Sequence, residues 1–277
     1  MTRTLLDVLQ DRFPDSSKTT LRKMLQADRV RVNGTPEKNA KRPISPEDRV
    51  EIGSKGEIAD LRVAILYEDN DLIVIDKAAG LLTVASPTET EETVVAILGA
   101  TRVHVVHRLD RDSSGVLVFA KDADMRGRLQ ALFAAHDIER VYVAIIHGQL
   151  AEPSGTFRSY LAEDRSLHVK STANPRKGKE AITHYRTLAS GPQYSMLEIT
   201  LQTGRRNQIR VHLAEAGHPI VGDTMYGAGR ENPIGRLALH ARHLGFVHPG
   251  TGSKLTFEVP IPEEFLSLTP SAALRSD

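Results

Sequence analysis

The part of the chain that decides the fold begins at residue 107 and reads His107-Arg108-Leu109-Asp110-Arg111-Asp112-Ser113-Ser114-Gly115-Val116-Leu117-Val118-Phe119-Ala120-Lys121. Its second half, from Val116 onward, is an apolar run rich in β-branched residues, which predicts a buried strand. Its first half is polar and places the carboxylate of Asp110 between two arginines on a short turn. Cations close to a carboxylate keep it ionised at neutral pH. Asp110 is therefore a candidate nucleophile or base on a rigid rim.

A tight turn without any chemistry is the alternative interpretation of this block. In such a turn the side chain of Asp112 or Ser113 would satisfy backbone groups, and Gly115 would supply a positive φ. That alternative is the usual explanation of an isolated Asp-x-Asp-Ser-Ser-Gly sequence, so the choice between the two depends on the rest of the chain.

Length and composition limit the classes of protein to which this chain can belong. With 277 residues, of which 40% are hydrophobic and 26% charged, it can form two folded domains. It has no cysteine, which excludes disulfides and thiolate metal sites. The acidic residues Asp7 and Asp11 interrupt any signal-peptide core, and no apolar run approaches the roughly 20 residues that span a bilayer. We expect a cytoplasmic monomer without membrane contact.

Residues 1–53 have the pattern of a small α/β domain. The spacing of apolar residues predicts an amphipathic helix over residues 5–13, and Ser16 or Ser17 can cap a second helix after it. Residues 29–34, Arg-Val-Arg-Val-Asn-Gly, alternate basic and β-branched side chains before an Asn-Gly turn. This alternation predicts a β-hairpin.

A short strand at residues 48–52 closes the first domain, and the glycine-containing, mixed-charge residues 54–62 predict a linker. The pattern changes over residues 63–277, where many short strand-like runs occur with few helical stretches. Short connections imply antiparallel pairing, so we predict an α+β domain with a large, mostly antiparallel sheet. Strands are predicted at 63–67, 72–76, 116–120, 140–147, 182–188 and 194–201, and helices at about 123–135 and 207–216.

The net charge is only +1, but the basic residues are unevenly distributed. Residues 18–31 contain five basic residues against one acidic residue, and residues 170–180 contain four against one. Basic patches on a near-neutral protein indicate local contact with phosphates. Ordinary solvated faces are the alternative explanation of either run taken alone.

Four further blocks accompany residues 107–121. They are Asp76-Lys77-Ala78-Ala79-Gly80-Leu81, Arg140-Val141-Tyr142-Val143-Ala144, Leu201-Gln202-Thr203-Gly204-Arg205-Arg206-Asn207-Gln208-Ile209-Arg210-Val211-His212-Leu213, and the segment 217–227 with Leu239-His240-Ala241. Together these blocks resemble the RluA/RluD family of RNA pseudouridine synthases, which convert uridine into its carbon-linked isomer within folded RNA. Ala78 stands where that family usually has Pro, Asn207 where it has His, and Arg140 where it has Lys.

The resemblance implies a role for each of four side chains. Asp110 would be the catalytic carboxylate, which either attacks the sugar or the base or removes a sugar proton. Arg210 would pair with Asp110, and Tyr142 would stack on the uracil and handle a proton with its hydroxyl. Arg108 would help to flip the uridine out of the RNA. The alternatives are a structural ion pair for Arg210 and a core tyrosine at position 142.

The N-terminal pattern is similar to the alpha-L RNA-binding motif of small-subunit ribosomal protein four. By that resemblance Lys18, Arg22, Lys23 and Arg31 would face the RNA. The substrate would be a structured RNA, with ribosomal RNA favoured over transfer RNA. An accessory domain that binds no RNA is the alternative.

Neither a Walker-type phosphate loop nor a dinucleotide fingerprint is present, which agrees with a cofactor-free reaction. His240 and His243 have a metal-like helical spacing, but no third ligand accompanies them, so we predict no metal site. The expected function is pseudouridine synthesis, an isomerase reaction in RNA modification and rRNA processing. A tRNA-directed synthase of the same family and a non-catalytic RNA-binding or chaperone protein are the rivals. His107, where the small-subunit rRNA branch typically has Gly, favours the RluA/RluD side.

Overall fold

The computed structural model describes residues 3–13, 17–26, 30–33, 35–45, 47–52, 62–85, 93–99, 103–164, 168–227 and 229–269. The chain divides into two compact units, Met1–Asp60 and Leu61–Asp277. The predicted cap Ser16 and residues 54–61 of the predicted linker lie outside the described residues. No helix within the ranges above is long and apolar enough to cross a membrane.

The first unit combines two helices with a three-stranded antiparallel sheet. Its elements are α1 (Leu5–Arg12), α2 (Lys18–Gln26), β1 (Val30–Val32), β2 (Thr35–Pro36) and β3 (Val50–Ile52), with strand order β2-β1-β3. A capping box starts α1, because the Thr4 hydroxyl accepts the backbone N–H of Asp7 and the Asp7 carboxylate accepts that of Thr4. Asn33 has a φ of +55°, which suits the predicted hairpin turn between β1 and β2.

The second unit is built on an 11-stranded sheet with strand order β10-β9-β11-β12-β8-β13-β7-β5-β4, in which β14 pairs with β13 and β6 with β7. Its strands are β4 (Val63–Glu68), β5 (Leu72–Lys77), β6 (His104–Val105), β7 (Ser114–Ala120), β8 (Glu139–His147), β9 (Ser154–Glu163), β10 (Val169–Thr172), β11 (Lys179–Ser190), β12 (Tyr194–Leu201), β13 (Leu239–Val247) and β14 (Lys254–Glu258). The helices described in this unit are α3 (Val94–Ile97), α4 (Ala123–Ala135), α5 (Gln208–Glu215) and α6 (Glu263–Leu266).

Strand β7 occupies a central position and buries all of its residues, as its continuous apolar run predicts. Its start runs parallel to β13, whereas the other strand pairs are antiparallel. Gly115 lies at this parallel contact with a φ of +112°, and a Cβ there would be 2.1 Å from the carbonyl oxygen of Ala241. Only glycine permits this approach of the two backbones. The contact fixes the end of the loop that contains Asp110.

The predicted fold class, an α+β protein with a mostly antiparallel sheet and a small N-terminal domain, is confirmed. The sequence analysis did not predict strands β6, β9, β10, β13 and β14. Strand β9 alternates exposed and half-buried residues, and Leu161 is its single fully buried position. Without an apolar run, such a strand gives no clear signal at the sequence level.

Candidate active site

Asp110 lies in the loop between β6 and β7, and a buried lysine holds this loop in place. Lys77, at the end of β5, donates from Nζ to the carbonyl oxygens of Ala78 (2.9 Å), Leu81 (2.8 Å) and Arg111 (3.0 Å). These bonds use all three protons of the ammonium group. Burial lowers the pKa of Lys77 to about 8, although nearby carboxylates act in the opposite direction. The sequence analysis included Lys77 in the block 76–81 but gave it no role; the available signal was a lysine at the end of an apolar strand, within that block.

His107 holds the other side of the same loop. Its Nε2 accepts the backbone N–H of Val118 in β7 at 3.2 Å, and its ring lies 4.5 Å from the ring of Phe133. Burial and then the charge of Arg140 lower the pKa of His107 to about 3. The ring is therefore neutral at physiological pH and serves as a hydrogen-bond acceptor for the sheet.

Arg210, in the first turn of α5, pairs with two carboxylates. Its Nη1 lies 3.0 Å from Oδ2 of Asp110, and its Nε and Nη2 each lie 2.8 Å from an oxygen of Asp223. The side chain of Asp223 is completely buried, whereas that of Asp110 is 34% exposed. Burial disfavours the charge of Arg210, but the two carboxylates outweigh burial and raise its pKa. Asp223 thus orients the guanidinium through a bidentate pair and leaves Nη1 for Asp110.

Asp223 is a site residue that the sequence analysis did not identify. Its Oδ1 also accepts the backbone N–H groups of Met225 (3.0 Å) and Tyr226 (2.9 Å). The preceding Gly222 has a φ of +75°, and a Cβ there would lie 1.9 Å from the carbonyl oxygen of Arg236. A Gly-Asp pair followed by a turn, within the segment 217–227, is the signal that could have indicated this position.

Asn207 precedes α5 with a φ of +52°, a left-handed conformation that Asn adopts more readily than most residues. Its Nδ2 donates to the hydroxyl of Tyr226 at 3.2 Å, and the same hydroxyl accepts the backbone N–H of Val169 at 3.2 Å. The guanidinium of Arg210 lies 5.3 Å from the centre of the Tyr226 ring. Asn207 therefore helps to hold the Tyr226 ring beside the guanidinium of Arg210.

Tyr142 lies in β8, where it is paired with Ile199 of β12 and Ala241 of β13. Its ring is half-buried and lines the same cleft as Asp110. Burial raises the pKa of Tyr142, while the charge of Arg140 lowers it and that of Asp110 raises it further. The hydroxyl is consequently protonated at neutral pH and can donate a hydrogen bond.

These side chains meet in one open cleft, which Arg108, Asp110, Tyr142 and Arg210 all line. The further lining residues are Leu109, Ser113, Leu201, Arg205, Asn207, Gln208, Ile209 and Leu239. Asp110 pairs with Arg210 at 3.0 Å, as the resemblance to the family implies. Arg111 pairs with Asp112 at 3.2 Å, and Arg108 is exposed without an ion pair among the described residues. Arg210, far away in sequence, holds Asp110.

The predicted RNA-contacting residues of the first unit lie on α2 and β1. Lys18 and Arg22 are exposed one helical turn apart on α2, and Arg31 is half-buried on β1. The side chain of Lys23 is outside the described residues.

One group of potential metal ligands, Asp69, Asp71 and His248, lies apart from the cleft residues. Nδ1 of His248 accepts the backbone N–H groups of Gly250 (3.0 Å) and Thr251 (3.1 Å). The proton of the neutral ring is therefore on Nε2, which lies 3.1 Å from Oδ2 of Asp69. A nitrogen that donates a hydrogen bond offers no lone pair to a metal, so this group works as a hydrogen-bonded link between two turns.

His240 and His243 lie on strand β13, so the helical spacing assigned to them is wrong. Nδ1 of His240 is 2.8 Å from Oγ of Ser114, whereas Nε2 of His243 is 3.5 Å from a carboxylate oxygen of Glu139. The two rings have separate partners.

The fold and the cleft define the class of protein, because the chain shares its architecture with pseudouridylate synthases. Human RNA pseudouridylate synthase domain containing 4 aligns with a TM-score of 0.61 at 25% identity, over 73% of this chain and 90% of that chain. Human RNA pseudouridylate synthase domain containing 1 has a TM-score of 0.64 at 24% identity, over 82% and 94%, and shares the fold.

Sequence comparisons specify the family. The profile of the RNA pseudouridylate synthase family matches residues 71–215, and the S4 domain profile matches residues 3–50. The uncharacterized RNA pseudouridine synthase YlyB of Bacillus subtilis is 33% identical over 92% of this chain and 89% of its own length. Ribosomal large subunit pseudouridine synthase D of Vibrio cholerae is 32% identical over 96% and 89%. The chain belongs to the RluA/RluD family of RNA pseudouridine synthases and is an isomerase with an N-terminal S4 domain.

Proposed function

We propose that the protein isomerises specific uridines in large-subunit ribosomal RNA, with Asp110 as the catalytic carboxylate. The ion pair of Asp110 with Arg210, at 3.0 Å in a cleft that Tyr142 also lines, is the observation that carries the proposal. The rRNA substrate is supported by relatives named ribosomal large subunit pseudouridine synthase D, which match nearly the whole chain at 31–32% identity.

The reaction rearranges bonds within one nucleotide. The bond between N1 of the uracil and C1′ of the ribose breaks, the base turns, and C5 forms a new bond to C1′. The proton on C5 is lost, and N1 gains a proton, so no oxidant or second substrate is required. One carboxylate suffices, either as a nucleophile toward the sugar or the base or as a base toward a sugar proton.

Arg210 supports either role of Asp110. A cation at 3.0 Å stabilises the ionised carboxylate and fixes one of its oxygens, while the other oxygen remains available to the substrate. The partial exposure of Asp110, at 34%, leaves room for that contact. Arg210 is therefore proposed as the residue that positions Asp110.

Tyr142 and Arg108 are proposed to hold the flipped nucleotide. A uridine within structured RNA must leave the base stack before a protein side chain reaches its sugar, at a cost of a few kcal/mol. The half-buried ring of Tyr142 offers a flat surface for the uracil, and its protonated hydroxyl can donate a hydrogen bond to a carbonyl. Arg108, exposed at the edge of the cleft, can occupy the gap left in the RNA.

The S4 domain is proposed to anchor the same RNA. Lys18 and Arg22 project from one face of α2, which suits contact with consecutive phosphates. Arg31 and Lys23 are proposed to contact the same RNA.

The proposal is tested by mapping pseudouridines in transcribed, unmodified large-subunit rRNA after incubation with purified protein. Asp110→Asn keeps the shape of the side chain but removes its charge, and we expect no pseudouridine above background. Asp112→Asn is the matched control, because it removes an exposed carboxylate two residues away. Pseudouridine in transfer RNA but not in rRNA would redirect the substrate assignment. Activity retained by Asp110→Asn would disprove its catalytic role, and RNA binding without any product would favour a non-catalytic protein.

A further inference from the structure

Arg236 is a half-buried arginine whose guanidinium contacts two separate parts of the catalytic unit. Its Nη1 donates to Oγ of Ser114 at 3.0 Å, and its Nε donates to Oε1 of Glu264 at 2.9 Å. The guanidinium also lies 4.8 Å from the centre of the Phe265 ring. Ser114 begins strand β7, whereas Glu264 and Phe265 belong to α6. Arg236 therefore links α6 to the strand that follows the loop of Asp110.

The hydroxyl of Ser114 is the group through which Arg236 contacts the start of β7. An arginine only donates hydrogen bonds, so Oγ of Ser114 accepts from Arg236 and keeps its own proton for a second bond. Nδ1 of His240, 2.8 Å from the same oxygen, can accept that proton. Burial and then the charge of Arg236 lower the pKa of His240 to about 4, so its ring is neutral at physiological pH. Because Ser114 and His240 are also paired where β7 runs parallel to β13, the start of β7 is held by backbone and side chain together.

The backbone of Arg236 lies against the segment that orients the other half of the ion pair. Its carbonyl oxygen is so close to Gly222 that a Cβ on that glycine would lie 1.9 Å from it. Gly222 directly precedes Asp223, whose buried carboxylate forms the bidentate pair with Arg210. The carbonyl group of Arg236 thus contacts the segment that positions Arg210, and its side chain contacts the strand that follows Asp110.

We propose that Arg236 is a positioning residue that keeps Asp110 and Arg210 at the separation that the reaction needs. This inference rests on the proposed function and adds to it a residue that does not line the cleft. An arginine that only stabilised α6 would use its donors on that helix, whereas Arg236 commits Nη1 to Ser114. Because the guanidinium is planar and its donors have fixed directions, it holds Ser114 and α6 in a defined relative position.

The test compares the wild-type protein with Arg236→Gln and Arg236→Lys as full chains acting on transcribed, unmodified large-subunit rRNA. Arg236→Gln is expected to lower the rate of pseudouridine formation at saturating RNA by about 10- to 100-fold, since small displacements of catalytic groups have effects of that size. The KM for RNA should change less than about twofold, because Arg236 does not line the cleft. Arg236→Lys should remain slow, because a single ammonium group does not reproduce the planar fork.

A double-mutant cycle establishes whether Arg236 acts through Ser114. Ser114→Ala removes the hydroxyl that accepts from Arg236, so Arg236→Gln should slow the reaction little further in that background. Effects on the rate that multiply in the double variant would show that Arg236 acts by another route and would overturn the proposal. Thermal unfolding of each variant verifies that it is folded.

Arg242→Gln is the matched control, because it removes one positive charge from a surface ion pair, that of Arg242 with Glu258. Hydrogen exchange at the backbone N–H of Ser113, which donates to the carbonyl oxygen of Asp110 at 3.2 Å, is a readout that does not depend on activity. This exchange should be faster in Arg236→Gln than in the control, while exchange within α4 is the same in both.

A wild-type rate in Arg236→Gln, an equal loss in the control, a rate restored by Arg236→Lys, or unchanged exchange at Ser113 would each overturn the proposal. A wild-type protein that forms no pseudouridine would reject the proposed function. Faster exchange at Ser113 in Arg236→Gln would, even then, uphold the positioning of the Asp110 loop by Arg236.

Discussion

Arg210 carries one positive charge and pairs with two carboxylates, those of Asp223 and Asp110. These two carboxylates differ in their burial and in their hydrogen bonds. Asp223 is completely buried, uses both of its oxygens on Arg210 and binds two backbone N–H groups as well. Asp110 accepts a hydrogen bond from Arg210 with one oxygen only and is partly exposed to the cleft. The buried pair therefore sets the position of the guanidinium, and the exposed carboxylate is left available for chemistry.

Asp223→Asn is expected to slow pseudouridine formation by about 10- to 100-fold, because small misplacements of a catalytic group have effects of that size. RNA affinity should change less than twofold, since Asp223 is buried beneath the cleft. Breaking a buried pair should also lower the free energy of unfolding by about 3 kcal/mol, as urea denaturation would measure. Thr224→Ala, at the exposed position next to Asp223, is the control. A wild-type rate in Asp223→Asn would show that Arg210 needs no such support.

His107 predicts an acid-sensitive contribution to stability. Its pKa of about 3 in the folded chain lies below the ordinary value of 6.5, so protonation favours the unfolded chain. Stability from this residue is complete above pH 6.5 and declines as the pH falls toward 3. Between pH 7.5 and 5.5 the loss is about 1.4 kcal/mol.

The measurement for His107 compares chemical denaturation of the wild type with that of His107→Gln at both pH values. Glutamine can still accept the N–H of Val118 but does not titrate. In the wild type the free energy of unfolding should fall by about 1.4 kcal/mol more than in the variant between these pH values. The contributions of other titrating groups are the same in both proteins and cancel in the comparison. An identical pH dependence in the two proteins would contradict the assignment of a neutral, buried ring.

At the level of elements, the loop containing Asp110 is held by three strands rather than by its own sequence. Lys77 attaches it to the end of β5, His107 attaches it to β7, and Gly115 brings the start of β7 against β13. Helix α5 then presents Arg210 from the other side of the cleft. The rigidity of the loop follows from these separate attachments.

Gly115→Ala is expected to destabilise the protein strongly, by more than about 3 kcal/mol, because the new Cβ would clash with backbone and the φ of +112° would be strained. Gly127→Ala is the matched control, since Gly127 lies inside α4 with no atom within 4 Å of its added Cβ. That control should stabilise the helix by roughly 0.5 to 1 kcal/mol. Urea denaturation of the two variants measures both effects. Equal stability of the two would refute the requirement for glycine at the β7–β13 contact.

At the level of the whole molecule, two concentrated sets of basic residues occur in the sequence, one in each unit. Lys18 and Arg22 belong to the S4 domain, and the basic run at residues 170–180 belongs to the catalytic unit. The net charge is nevertheless only +1, because acidic residues elsewhere in the chain balance both sets. Affinity for RNA is thus expected to depend on local clusters rather than on total charge.

Lys18→Gln with Arg22→Gln is expected to weaken binding to structured RNA and to lower the salt slope by about 1 to 2, as two phosphate contacts predict. Filter binding at several salt concentrations measures the slopes. An unchanged slope would indicate an S4 domain that makes no phosphate contacts through these residues.

Much of the fold was predictable because local patterns determine it. The apolar run 116–120 has one stable environment, a buried strand, and the Asn-Gly signal at residue 33 has a preferred turn. Strand β9 was not predictable, because its neighbours, rather than its own side chains, keep it in the sheet. The same holds for Lys77 and Asp223, whose roles depend on partners that are distant in sequence or on backbone atoms.

The sequence by itself determined the family, the α+β class and the identity of Asp110, Tyr142, Arg108 and Arg210 as candidates, because short motifs contain that information. The tertiary structure supplied the geometry of the pair that the resemblance implied, in which Nη1 of Arg210, one hundred positions away, lies 3.0 Å from Oδ2 of Asp110. It also decided that Asp223 orients Arg210. Contacts between distant positions depend on how the sheet brings α5 and the loop after β6 together.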